Sequence, residues 1–215
     1  MTPALDANYA ALERAGHYQP GMIHYGGDWY WGIDRLSHLE ARLRREGLDG
    51  SLGLQPAACP SLASMIQPPP GERPRIEVFV SFRSPYSYLS LRRIFDIADA
   101  FGLELRIRPV LPMVMRGLPV PRNKLLYIVR DAWREAERLG IAFGPFADTV
   151  GEATERSCAV FYYAQQEKRE REFVLNLGKA SWSQAVDVAT DKGMRKVTGR
   201  TGLFWPDVVA RAADG

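Results

Sequence analysis

Residues 75–91, Arg75-Ile-Glu-Val-Phe-Val-Ser-Phe-Arg-Ser-Pro-Tyr-Ser-Tyr-Leu-Ser-Leu91, limit what this chain can become more than any other stretch. From Ile76 to Phe82 the run is β-branched and aromatic, which predicts a buried strand. Ser84-Pro85 follows at once as a helix N-cap with proline at the first helical position. A strand running straight into a helix start brings the Ser84 hydroxyl and the first backbone N–H groups to one point, beside the positive end of the helix dipole. An anion or a thiolate is stabilised there.

The flanking segments are read by their period. Tyr86 to Phe101 predicts an amphipathic helix with Leu89, Ile94, Ile97 and Phe101 turned inward, and Leu103 to Arg108 alternates apolar and charged residues as a second strand. The two make a βαβ unit, for which a right-handed crossover is expected. Before them, Ala4 to Arg14 reads as a short helix, and Met22–Tyr25 and Asp28–Trp31 flank Gly26-Gly27 as a β-hairpin. A helix from Asp34 to Arg45 follows, stopped by Gly47. Residues 48–74 are rich in Gly, Ser, Pro and Ala with no lasting period, which predicts a linker. Beyond a loop from Pro109 to Pro121, helices are expected over Asn123–Leu139, Glu152–Gln166, Glu170–Ser183, Thr190–Thr201 and Pro206–Ala213.

Composition narrows the function classes. The chain has 215 residues, 46% of them hydrophobic, enough for one large or two small domains. Its 28 basic residues against 25 acidic are scattered, which argues against a nucleic-acid partner. Asp6, Glu13 and Arg14 interrupt the first residues and no apolar run is long enough to cross a bilayer, so the expectation is a soluble, cytoplasmic protein without a membrane partner. Cys59 and Cys158 have neither metal-ligand nor redox-motif spacing. His17, His24 and His38 are not spaced as a metal set, so no metal site is expected.

The strand-turn-helix unit resembles the active-site segment of the DsbA-like branch of the thioredoxin fold. Ser81-Phe82-Arg83-Ser84-Pro85-Tyr86-Ser87-Tyr88-Leu89 is similar, more narrowly, to 2-hydroxychromene-2-carboxylate isomerases and kappa-class glutathione transferases. The resemblance implies that Ser84 replaces the first cysteine of a C-x-x-C motif and faces the sulfur of bound glutathione, with Ser87 at the second cysteine's place. Dithiol exchange needs two sulfurs there and finds none. Gly27-Asp-Trp-Tyr-Trp-Gly-Ile-Asp-Arg-Leu36 is similar to the end of the same proteins, where the aspartate of an Asp-Arg pair meets the glutathione γ-glutamyl amine; Asp34 matches it. Asp34 by itself would equally suit the first turn of a helix. A cis-proline before the first hairpin strand is implied too, with Pro20 the nearest residue. The segment around Asn123-Lys124 and Tyr127-Ile-Val-Arg-Asp131 looks like the isomerase branch again, and Lys124 matches a lysine that helps to bind glutathione.

The implied fold is α/β and thioredoxin-like: a mixed four-stranded sheet with a large all-helical insertion. The parts stand in an unusual order, with the closing hairpin and helix in 1–47, the linker in 48–74, the β-α-β start in 75–109 and the helical subdomain in 110–215. Two arrangements fit: a circularly permuted chain completing its own sheet, or a fragment of a tandem protein. A domain-swapped homodimer would satisfy the same pairings. The function expected from the likeness is a glutathione-dependent isomerase or transferase acting on a small conjugated, aromatic electrophile. The alternative is a DsbA-like module that has lost its chemistry and only binds a partner or pairs with another copy.

Overall fold

A computed structural model describes residues 2–17, 19–48, 50 and 74–213. Most of the expected linker, with Cys59, lies outside the described residues. The chain divides into two compact units, Met1–Pro60 with Pro121–Arg134, and Ser61–Val120 with Glu135–Gly215. Among the described residues no helix is long and apolar enough to cross a membrane.

The first unit opens with α1 (Pro3–Arg14), none of whose residues is buried. Strands β1 (Met22–Tyr25) and β2 (Asp28–Trp31) pair antiparallel, Met22 opposite Trp31 and Tyr25 opposite Asp28. The two-residue turn needs positive φ at both positions, and Gly26 at 55° and Gly27 at 80° supply it. One 3₁₀ turn, Ile33–Arg35, leads into α2 (Leu36–Arg45). Arg42 of α2 fastens the hairpin: it donates to the Tyr25 and Gly26 carbonyls and to the carboxylates of Asp28 and Glu46. A side chain at Gly26 would run into that guanidinium. The unit also takes the opening of α4 (Arg122–Leu139), held by Arg35 Nε donating to both oxygens of Asp131 at 2.8 and 3.0 Å.

The second unit is built on β3 (Arg75–Val80), α3 (Pro85–Ala100) and β4 (Glu104–Pro109). β3 and β4 are parallel in continuous register from Arg75 opposite Glu104 to Val80 opposite Pro109. Period two sends Ile76, Val78 and Val80 to the inner face. There Val78 and Val80 pack with α3 and a layer of α5 (Glu152–Gln166), α6 (Glu170–Ser183), α7 (Asp191–Thr201) and α8 (Trp205–Ala213). Val80, Phe82, Leu91, Phe95 and Ile107 join Phe161, Phe173, Leu177, Met194 and Val197 in one core. Each large side chain so buried stabilises by about 1.5–3 kcal/mol. Tyr88 on α3 presses its ring on Gly178 of α6, where a Cβ would lie 2.5 Å from the ring.

The described strands form two separate two-stranded sheets, β1–β2 and β3–β4, and not the expected single sheet of four. The hairpin's polar anchors are spent on α2 and on the opening of α4, through Arg42 and the Arg35–Asp131 pair. The outer face of β3 stays bare: Arg75, Glu77 and Phe79 are exposed, Phe79 by 66%.

Candidate functional site

The site lies at the carboxyl ends of the parallel strands, where open α/β sheets place their ligands. β3 ends at Val80, and a turn through Ser81, Phe82 and Arg83 delivers Ser84 as the N-cap of the sixteen-residue α3. Ser84 Oγ accepts a hydrogen bond from the Ser87 N–H at 3.2 Å, which leaves the hydroxyl proton to be donated elsewhere. Pro85 brings no N–H of its own. The hydroxyl is half-buried, at the positive end of the helix.

A second segment, Asp148–Gly151, is strapped beside this turn. Arg83 grips Asp148 in a two-point pair, Nε to Oδ1 at 2.7 Å and Nη2 to Oδ2 at 2.9 Å. The Thr149 hydroxyl, fully buried, donates to the Phe82 carbonyl at 3.1 Å, and the Gly151 N–H points at Met115 Sδ at 3.4 Å. The Arg83 hydrogen bond holds the Asp148 carboxyl below its usual range, and Asp148 in turn raises Arg83. Each cancels the other's charge, so the positive character beside Ser84 comes from the helix end. Exposed Met113, Val114 and Val150 add apolar surface on the same loops.

None of Asp148, Thr149 or Met115 was singled out from the sequence. Asp148 lies 65 positions from its partner, and an unpatterned loop gives no periodic signal for such a pairing. Asp34, Lys124 and Pro20 fall in the first unit and Ser84 in the second. Asp34 is 67% exposed and accepts from Arg35 Nη1 at 2.7 Å. Lys124, half-buried in the first turn of α4, donates its backbone N–H to Asn123 Oδ1 at 2.9 Å. No peptide bond is cis among the described residues, so Pro20 lacks the geometry that the likeness implies. Cys158 sits in α5, where burial pushes its thiol pKa up.

The DSBA-like thioredoxin domain matches residues 75–214, well over half of the chain. The chain belongs to that family. Within this DSBA-like thioredoxin domain, residues 84 and 87 at the start of α3 are both serines. Among solved structures it is similar to a 2-hydroxychromene-2-carboxylate isomerase, at 22% identity and a TM-score of 0.54, over 65% of this chain and 71% of that one. It is also similar to a probable DsbA oxidoreductase from Streptomyces coelicolor, at 14% identity and a TM-score of 0.51, over 65% and 68%. At these identities the likeness shows the fold. No curated protein matches the chain.

Proposed function

We propose that this DSBA-like domain is a glutathione-dependent isomerase or transferase acting on a conjugated, aromatic electrophile. One observation carries the reading: Ser84 caps α3 with its oxygen occupied and its proton available. Glutathione would supply the nucleophilic sulfur, which adds to the electrophile and either leaves after bond rotation or stays attached in the product.

The chain's part is to keep that sulfur ionised. A helix N-terminus stabilises an anion by about 0.3–2 kcal/mol, and a hydroxyl donating to a charged acceptor adds about 1.5–3 kcal/mol. At about 1.4 kcal/mol per pKa unit, the two lower an ordinary thiol, near 8.5, by about two units. Most of the sulfur is then thiolate at neutral pH. The apolar surface of Met113, Val114 and Val150 suits a flat, apolar electrophile. A cytoplasmic setting, where glutathione is kept reduced, accords with this reading.

The test is a Ser84→Ala variant assayed for turnover and, by thermal shift, for glutathione binding. Turnover should fall far more than affinity, and unchanged turnover counts against the mechanism. Absence of any saturable stabilisation by glutathione removes the cofactor.

A second reading is favoured by the bare outer face of β3–β4. Parallel sheets are covered on both faces in stable folds, and two strands alone are marginal. Phe79 and the edge of β3 would accept a further strand and helix from a second copy of the chain. The domain would then be a pairing module. Light scattering on the wild type and on Phe79→Glu decides: loss of a dimer in the variant supports pairing, and a monomer throughout removes the second-copy form.

A further inference from the structure

We propose that the first unit carries a binding site for a small aromatic carboxylate, in a cleft of about 410 Å³ between the β1–β2 turn and the opening of α4. Its lining includes Trp29, Tyr127, Arg122, Arg130 and Arg134, all of the first unit, so the proposal is independent of Ser84.

One wall is flat and aromatic. The His17 ring stands 5.0 Å from Trp29 and edge-on to Tyr127 at 5.5 Å. His17 Nδ1 accepts from the Gln19 N–H at 3.2 Å, which puts the ring proton on Nε2, and burial lowers its pKa, so the imidazole is a neutral donor. The Tyr127 hydroxyl, pushed up to about 12 first by burial and then by Asp131, also keeps its proton.

The charge is unbalanced. Three arginines line the cleft against one acid, Asp28, and Asp28 is already committed to Arg42 at 2.9 Å and faces Arg130 at 3.7 Å. Arg134 is anchored on several sides. Its Nη2 donates to the Trp29 carbonyl at 2.8 Å and approaches the Asp131 carboxylate at 3.4 Å, and its guanidinium lies 4.5 Å over the Tyr30 ring, while its buried Nε and Nη1 have no acceptor. Each such donor left unmade costs about 1–3 kcal/mol. The charge an anion can reach comes from Arg122 and Arg130, both exposed on α4 beside the aromatic wall. Positive charge selects an anion, and the indole and phenol wall selects one with a ring.

The experiment titrates the full chain with benzoate by isothermal calorimetry, with benzamide as the neutral isostere and inorganic phosphate as the anion without a ring. Benzoate should saturate one site in the millimolar range or below, with the other two at least about tenfold weaker. Arg130→Gln and Trp29→Leu, each confirmed folded by circular dichroism, should weaken benzoate about tenfold, the worth of one charge-assisted contact. Arg122→Gln replaces Trp29→Leu should that variant unfold. Absence of saturation, equal binding of benzamide or phosphate, or unchanged affinity in the variants overturns the proposal.

Discussion

Arg35 and Asp131, 96 positions apart, are joined by two hydrogen bonds from one guanidinium nitrogen, at 2.8 and 3.0 Å, and the Asp131 side chain is 1% exposed. Arg134 approaches the same carboxylate at 3.4 Å. A buried carboxylate deprived of its cation is strongly destabilised, by about 3–5 kcal/mol. Arg35→Ala should therefore cost the first unit about that much, reduced by whatever Arg134 retains. Hydrogen exchange of the β1–β2 and α2 amides would report it, with the amides of β3 and α3 unchanged.

Ser84 has two duties that substitution can separate. Alanine removes the cap and costs about 0.5–2 kcal/mol of stability as well as activity. Aspartate keeps a capping oxygen and suits the helix dipole, but sets a negative charge against the thiolate and donates no proton at neutral pH. Ser84→Asp should melt at or above the wild-type temperature and have no turnover. Retained turnover in that variant would refute the proposed role of the hydroxyl.

The Arg83–Asp148 pair has a pH signature. Its hydrogen bonds lower the folded-state pKa of Asp148 below the ordinary 3.8. A lowered carboxyl pKa adds stability that is fully present above the unfolded value and is lost as pH falls through the folded one. Arg83→Gln should thus be less stable than the wild type at pH 7, by a few tenths to about 1 kcal/mol for so exposed a pair. That gap should shrink as pH falls below about 4 and close once Asp148 is protonated in both proteins. A gap independent of pH would mean that Arg83 acts through packing. Denaturant unfolding across that range makes the comparison.

Gly178 is where α6 lets α3 come close. A methyl there meets Tyr88 Cδ2 at 2.5 Å, and the ring is tethered by its hydroxyl to the Ala142 carbonyl at 2.8 Å. Gly178→Ala should cost about 1–3 kcal/mol by overpacking, seen as a lower melting temperature. Combining it with Tyr88→Leu should recover part of the loss, since the two sites are in contact and do not add.

Much of the local structure was legible. The β1–β2 hairpin, α5 and α6 fall on the residues that period and turn chemistry predicted, because a Gly-Gly turn or an amphipathic repeat acts within a few residues. α2 starts two residues later than expected, since Ile33–Arg35 tightens into a 3₁₀ turn that gives Arg35 its reach to Asp131. The single four-stranded sheet did not appear, and Pro20 is trans.

By itself, the sequence determined the strand-turn-helix unit and Ser84 at its N-cap, because a β-branched run followed by Ser-Pro leaves the backbone few alternatives. It also determined that no redox pair stands at Ser84 and Ser87, which is a matter of composition alone. Only the tertiary structure decided that Asp148 and Thr149 brace that turn, that β3 and β4 keep a bare face, and that Trp29 and Tyr127 share a cleft with three arginines. Those relationships join residues tens of positions apart through hydrogen bonds and packing, and no short-range pattern in a chain records such partners.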